Sequence, residues 1–410
     1  MQANVKVASA MEVRIAALAD RCVKCGLCLP HCPTYRLAAT EAESPRGRIA
    51  FAQALAEGKL ERTPSILAHL DNCLACMACE RVCPSKVQYG ELIATTRAWL
   101  ADTGAQTRPA RVLGWLLAKP RLLGMMLRMA NLPGLRQALQ GRVIRALLRP
   151  FGMDRMLAEL PRLPRVQVAP SRIPAAPRGR IGLFLGCVAA SVDRDVHAAA
   201  TSLLHALGFE VVLPRGQGCC GALALHNGDA VQANSLGSAL RAAFEGAGVE
   251  TVLVSASGCF GTLRDHVFAD SKLRVREVHE FLSADSGFDT LKFRALPERI
   301  AVHAPCTQRN VARADGAIAR LLARIPQLQI DALPAPPGCC GAAGDYFLHH
   351  SENADALRAQ TLDAALAFQP EKLVTSNVGC RIFLGNGLRE CAAEVSVIHP
   401  LVLLTRQLEN

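Results

Sequence analysis

The sequence predicts an α+β multi-domain chain, and three observations carry that prediction. A dense cysteine run occurs twice within the first hundred residues, a basic Pro-punctuated stretch follows, and the remainder repeats itself with a period of about 120 residues. The boundaries expected are 1–102 for a helical cysteine-rich domain and 103–178 for a basic helical connector and linker. Residues 179–290 and 291–410 follow as two tandem α/β cysteine-rich repeats.

At 410 residues, 50% apolar and 20% charged, the chain holds enough apolar material for several cores. That balance excludes a disordered chain, a collagen-like chain and a small disulfide-stapled domain. Uncharged runs such as Ile181–Val192 and Thr251–Leu263 fall short of the roughly 18–20 residues a membrane-spanning helix needs. Charges are scattered through Met1–Arg21 and no apolar signal core interrupts them. The chain is therefore expected in a reducing cytoplasm, where its 17 cysteines point to metal or redox chemistry rather than disulfides.

Cys22-Val-Lys-Cys25-Gly-Leu-Cys28-Leu-Pro-His-Cys32-Pro33 reads C-x2-C-x2-C-x3-C-P, and the pattern recurs from Cys73 through Cys76 and Cys79 to Cys83-Pro84. Three thiolates spaced by two residues wrap three corners of one cubane, while the fourth, ahead of Pro, points to the other cluster. Cys22, Cys25, Cys28 and Cys83 are thus expected to hold one [4Fe–4S] cluster, and Cys32, Cys73, Cys76 and Cys79 a second. Zinc in a tetrahedral S4 site is the competing reading of paired C-x2-C motifs. Two complete copies of the longer pattern favour the clusters. The stretch between Cys32 and Cys73 is longer than a compact ferredoxin hairpin needs and reads as helix. Pro45 opens it, Ile49, Ala52 and Leu55 face inward, and Gly58 ends it. A further helix is expected over Glu91–Leu100. Clusters with every iron ligated make this a ferredoxin-like electron relay and not a site of substrate chemistry.

The formal net charge is +11, and residues 103–180 account for the excess, with fourteen Arg and one Lys against Asp154 and Glu159. Prolines at 109, 120, 133, 150, 161, 164, 170, 174 and 177 predict short helices followed by a linker. Between Leu135 and Arg149, Leu139, Val143 and Leu147 share one helical face and Arg142, Arg145 and Arg149 the opposite one. Two readings stand: a solvated face of a connector packed on its neighbours, or a surface for anionic lipid or an acidic partner. Nucleic acid is set aside, because no stacking aromatics are interleaved with the arginines.

In the repeats, Gly218-Cys219-Cys220-Gly221-Ala222 matches Gly338-Cys339-Cys340-Gly341-Ala342. Cys187 matches Cys306, Gly258-Cys259 matches Gly379-Cys380, and His279 matches His399. Short apolar strands are expected at Ile181–Leu185, Glu210–Leu213, Thr251–Ser255 and Val275–Val278, alternating with helices. That pattern makes parallel α/β layers, whose sites gather at strand ends. Cys187, Cys219, Cys220 and Cys259, and then Cys306, Cys339, Cys340 and Cys380, are candidate ligands of a further site in each copy. Such a site would hold an iron–sulfur cluster or zinc, or work through redox-active thiols. Cys391 is left over and is read as a core residue. His303, whose counterpart is Phe184, is read as a donor or proton carrier behind the thiols or as a satisfied core histidine. Gly216-Gln-Gly218-Cys-Cys-Gly221 formally matches G-x-G-x-x-G. Its counterpart opens with Pro336-Pro337, and Leu236–Leu240 offers no ribose-binding acid, so no dinucleotide site is expected.

Together these residues resemble the iron–sulfur subunit of bacterial glycolate oxidase, the glycolate dehydrogenase complex, over nearly the whole chain. The resemblance is carried by both cysteine runs, Pro45-Arg46-Gly47-Arg48-Ile49, the Cys-Cys-Gly loops, Ala256-Ser257-Gly258-Cys259 and His303-Ala-Pro-Cys306. Gly338-Cys-Cys-Gly-Ala-Ala-Gly344-Asp-Tyr346 and Asn377-Val-Gly-Cys380 belong to it too. It implies the electron-transfer subunit of a flavin-dependent 2-hydroxy-acid dehydrogenase that oxidises glycolate to glyoxylate. It further implies FAD and the substrate site on partner subunits only, and a quinone or other membrane acceptor at the cytoplasmic face of the inner membrane. Similar Cys-Cys-Gly repeats occur in heterodisulfide reductase, the third subunit of anaerobic glycerol-3-phosphate dehydrogenase, and lactate-utilisation proteins. The alternative is therefore a thiol/disulfide redox protein, or a subunit serving D-lactate or glycerol-3-phosphate oxidation. The heterodisulfide reductase pattern ends in C-x-x-C. Here Ala256 and Asn377 stand at the first of that pair, which removes one thiolate from each site.

Overall fold

A computed structural model describes residues 9–104, 111–149, 153–166, 171, 173–335 and 338–409. Pro109, Pro150, Pro170 and the Pro336-Pro337 pair lie outside them. The chain divides into two compact units, Met1–Ala110 with Leu223–Ala233, and Arg111–Ala222 with Asn234–Asn410. Helices and parallel sheets mix as the α+β class requires.

The first unit is helical throughout its described residues: α1 (Ala10–Ala19), α2 (Pro33–Ala38), α3 (Pro45–Ala56), α4 (Pro64–Asp71), α5 (Ala78–Arg81) and α6 (Tyr89–Asp102). Local chemistry sets the starts. Ser9 and Glu12 close a capping box on α1. Ser44 accepts from the Gly47 amide ahead of α3, and Thr63 does the same for Ile66 at α4; both helices have Pro in the first turn. Ile49, Ala52 and Leu55 form the buried stripe of α3, and Gly58 beyond its end is left-handed at φ 68°. They pack with Ile15 and Leu18 of α1 and Leu92, Ile93 and Trp99 of α6. Arg97 of α6 also donates to the His226 carbonyl (3.2 Å), in the segment contributed from further along the chain.

The second unit begins with α7 (Arg111–Leu117), α8 (Pro120–Ala130), α9 (Leu135–Gln140), α10 (Arg142–Leu148) and α11 (Asp154–Ala158). The single amphipathic helix expected across Leu135–Arg149 is broken: Gly141 is extended (ψ 145°) between α9 and α10, the residue with the most backbone freedom to lose in a helix. The expected apolar face is also turned outward, with Val143 73% and Leu147 67% exposed. The segment is instead seated through Leu123 and Leu127 of α8, which meet Leu160 and Val192. Buried Glu159 seats it further, accepting from Arg358 Nη1 (3.1 Å) and Asn386 Nδ2 (2.6 Å).

The two repeats follow. The first runs β1 (Gly179–Phe184), α12 (Ala189–Val192), α13 (Arg194–Ala206), β2 (Phe209–Val212), α14 (Ala222–His226), α15 (Ala230–Glu245), β3 (Thr251–Val254), α16 (Ser257–Thr262), β4 (Arg274–Glu277) and α17 (Val278–Ala284). The second runs β5 (Arg299–His303), α18 (Ala317–Leu322), β6 (Gln329–Ala332), α19 (Tyr346–His349), α20 (Ser351–Leu366), β7 (Lys372–Thr375), α21 (Val378–Glu390), β8 (Ser396–Ile398) and α22 (Pro400–Gln407). Each forms a four-stranded parallel sheet of the same order, β2-β1-β3-β4 and β6-β5-β7-β8. The register also matches, Ile181 opposite Thr251 and Ile300 opposite Lys372. Leu183, Leu253, Ile300 and Val374 belong to one apolar cluster together with Val278 and Leu401, so the repeats share a core. Matching His279 and His399 lie inside it with ring centroids 5.2 Å apart.

Candidate iron–sulfur sites

Both N-terminal cysteine runs fold into the same kind of loop. Lys24 (φ 56°) and Gly26 (φ 83°) are left-handed in the first, and Ala75 (φ 52°) and Met77 (φ 57°) occupy the matching positions in the second. Left-handed residues alternating with ordinary ones turn successive peptide N–H groups to one side, a nest geometry found at many Fe–S sites. Only Gly26 adopts it freely; Lys24, Ala75 and Met77 hold it against a cost of roughly 1–2 kcal/mol each.

A cavity at the first loop is lined by Cys22, Cys25, Cys28, Cys79 and Cys83, with Ile49, Val87 and Tyr89 among its walls. Three thiols of the first run thus meet two of the second in a nearly apolar enclosure. Burial pushes the Cys28 thiol up to about 11. Cys32, Cys73 and Cys79 are buried, Cys76 is half-buried and Cys25 is exposed. Cys32 Sγ lies 3.3 Å from Thr34 Oγ1, and Cys73 Sγ lies 3.5 Å from Tyr89 Oη and from the Ala75 amide. Burial raises the Cys73 thiol, but Arg48 and Arg97 with the Tyr89 hydroxyl outweigh it and hold the thiol below its ordinary value. An all-sulfur donor set, an apolar enclosure and paired nests fit iron–sulfur clusters. Arg97 and Tyr89 escape a motif search, because they approach Cys73 only through the packing of α6, and Arg48, although part of the Pro45–Ile49 motif, shows its role only through the packing of α3.

In the repeats, Cys187 follows β1, Cys259 follows the start of α16 beyond β3, and the Cys219-Cys220 pair lies between β2 and α14. β1 and β3 are adjacent parallel strands with neighbours running outward on either side, the position where open α/β sheets build their sites. The Cys187 and Cys220 thiols both donate to Cys219 and hold it down to about 3, and Cys259 adjoins Cys220. In the second copy Cys340 Sγ and Cys380 Sγ are 2.7 Å apart. Cys339 donates to Cys306 and, with Arg309, holds that thiol low. All four candidates of each copy therefore converge. Gly341 (φ 84°) enables the second turn, since a Cβ there would strike the Ala354 carbonyl. Among the described residues, no group of three or more His, Cys, Asp or Glu side chains is arranged to hold a single metal ion.

The surroundings refine several sequence expectations. Cys391 is exposed, not a core residue: it lies one residue past α21, beyond the stripe of Phe383, Leu384 and Leu388 that the helix buries. His303 is fully buried, its Nδ1 3.0 Å from Thr375 Oγ1, and burial with Arg309 pushes its pKa down to about 4, so it is neutral at neutral pH. Asn377, in the place of a C-x-x-C cysteine, accepts from the Gly379 amide (3.1 Å) and donates to Thr307 Oγ1 (3.4 Å). Thr307 in turn lies 2.8 Å from Ser257 Oγ. A polar bridge that sequence reading missed thus ties the Cys259, Cys306 and Cys380 loops of the two repeats together.

Residues 18–87 match the family described as 4Fe-4S dicluster domain, and residues 181–264 and 300–385 match the family described as cysteine-rich domain. The chain is 32% identical to the glycolate oxidase iron-sulfur subunit of Escherichia coli (strain K12), over 95% of this chain and 94% of that one. It is 28% identical to the probable glycolate oxidase iron-sulfur subunit of Bacillus subtilis (strain 168), over 93% and 92%. It is also 24% identical to a lactate utilization protein of Bacillus velezensis, over 54% of this chain and 96% of that one.

Proposed function

Since the chain belongs to the family of glycolate oxidase iron–sulfur subunits, we propose that it is the electron-transfer subunit of a flavin-dependent 2-hydroxy-acid dehydrogenase acting on glycolate. The observation that carries the reading is the cavity where Cys22, Cys25 and Cys28 meet Cys83, beside two loops of matching left-handed geometry. In this reading those four thiolates hold one [4Fe–4S] cluster, and Cys32, Cys73, Cys76 and Cys79 hold a second. When bound, the pair supplies one-electron transfer between a flavin on a partner subunit and a membrane acceptor such as quinone. Cys187, Cys219, Cys220 and Cys259, with Cys306, Cys339, Cys340 and Cys380, are the ligands proposed for further iron–sulfur or zinc sites.

The chain's own residues fix the thiolates and bury Cys32, Cys73 and Cys79 away from water. Among the described residues, the cavity lining contains no carboxylate and no histidine, so no such group there could accept a proton from a hydroxy acid. FAD and the oxidation of glycolate to glyoxylate therefore belong to partner subunits in this proposal. A peripheral position on the cytoplasmic face of the inner membrane suits the connector. There Trp115, Met125, Met126 and Met129 are each about half exposed beside exposed Arg121 and Arg128. Among the described residues no helix is long and apolar enough to cross a membrane.

Anaerobic purification with iron and sulfide analysis tests the reading. About eight iron atoms per chain or more are expected from two cubanes, and fewer would overturn it. In the assembled complex, Cys76→Ser should leave flavin reduction by glycolate intact and abolish quinone reduction. Unchanged quinone reduction would refute the relay. Disulfide reduction by the isolated chain would favour the thiol-redox alternative.

A further inference from the structure

We infer that Arg48 and Arg97 set the reduction potential of the second cluster site, that of Cys32, Cys73, Cys76 and Cys79, by holding two buried positive charges against its ligands. The inference rests on the ligand assignment proposed above. Arg48 belongs to the Pro45-Arg46-Gly47-Arg48-Ile49 motif, in which no residue is a cluster ligand. Its side chain is 1% exposed, and Nη1 lies 4.0 Å from Cys32 Sγ. The same nitrogen donates to Thr34 Oγ1 (3.0 Å), which itself sits against the Cys32 sulfur. Arg97, also buried, reaches from α6 to the other end of the site and donates from Nη2 to the Cys73 carbonyl (2.8 Å). Tyr89 Oη completes the set beside Cys73 Sγ.

The physical consequence follows from charge. Reduction adds one negative charge to a centre that is already anionic with four thiolates. Burial makes that charge harder to add, whereas a buried cation at short range makes it easier and is little screened by salt. Three of the second site's four cysteines are buried, so without compensation it would resist reduction. Arg48 is partly offset by its ion pair with Glu43. Arg97 is fixed beside the Cys73 end of the site by donating to the carbonyls of Leu70, Asp71, Cys73 and His226. At the first site the cations lining the cavity are Lys24, which is exposed, and Arg46, whose side chain is 31% exposed and paired with Glu41. Their field is spent largely in solvent. The two sites thus differ in whether their cations are buried, and the arginines keep the buried site able to accept an electron.

An EPR-monitored redox titration of the full-length, anaerobically loaded chain tests this, with Cys76→Ser identifying which signal belongs to the second site. Arg97→Gln should lower the reduction equilibrium constant of that signal by ~tenfold or more, about 59 mV for a one-electron couple, with the other signal unmoved. Arg97→Lys, which keeps the charge, should restore most of the loss. Arg48→Gln should shift the same signal in the same direction. Should an arginine variant fail to load iron, Tyr89→Phe carries the test, since it removes one hydroxyl and should lower the same signal by a smaller factor. Two signals that never shift, or that shift together, overturn the inference and leave the ligand assignment standing. A wild-type chain with fewer than two reducible cluster signals overturns the assignment, and the inference with it.

Discussion

Asn377 shows how a residue can be legible by position and still hide its role. The motif comparison marks it as a lost thiolate, but its carboxamide caps α21 and reaches Thr307, so the substitution keeps the Cys380 loop tied to the Cys306 loop. Asn377→Ala should cost about 1 kcal/mol through the lost cap, read from the urea midpoint of the full chain. His197 on α13, like buried His303, makes stability depend on pH. It is buried, its Nε2 has no hydrogen-bond partner among the described residues, and burial with Arg381 pushes its pKa down to about 4. The folded state then binds fewer protons than the unfolded chain, whose histidine titrates near 6.5. Its contribution is full above about pH 6.5 and is lost as pH falls toward 4, amounting to ~2 kcal/mol between pH 7 and pH 5. Unfolding curves at those two pH values should show at least that loss, and His197→Leu should reduce it by the His197 share. Cysteines announce themselves because their spacing is local. The roles of Arg48, Arg97 and Tyr89 do not, because these residues meet Cys32 and Cys73 across 16 to 24 residues of chain.

At the scale of elements, the central strands β1, β3, β5 and β7 were legible because each is a short, mostly apolar run bounded by turns and each has its counterpart in the other repeat. Duplication halves the ambiguity of any one strand. α3 was legible for a different reason: Pro45, the Ile49-Ala52-Leu55 stripe and Gly58 all agree on one helix. The stretch from Leu135 to Arg149 misled because helical periodicity does not register the single Gly141 that divides it. Nor does periodicity reveal that the connector is held by a buried carboxylate. Glu159 accepts from Arg358 and Asn386, on α20 and α21. Glu159→Ala should destabilise the second unit by ~3 kcal/mol, since it strips a partner from a buried guanidinium. Denaturant unfolding measures it, and a loss below about 1 kcal/mol would show that Glu390 and Asp355, the other partners of Arg358, suffice.

For the whole molecule, charge and exposed apolar surface fall in the same segment. Exposed Arg142 and Arg149 accompany exposed Val143 and Leu147 on α10 and the Met-rich face of α8. Reversing both arginines to Glu should weaken sedimentation with vesicles of anionic lipid at low salt, each arginine being worth about 1 kcal/mol near such a surface. Unchanged sedimentation together with unchanged complex assembly would mark the segment as a solvated connector.

The first unit is not contiguous: it is completed by Leu223–Ala233, where the Arg97 guanidinium meets the His226 carbonyl. A nascent chain cannot supply that piece when Ala110 leaves the ribosome. At ~5–20 residues per second, the missing stretch arrives about 6 to 25 s later. During that interval the eight N-terminal thiols are exposed to oxygen and stray metals without their finished housing. A truncated product ending near residue 110 should therefore load iron poorly however intact its cysteine runs.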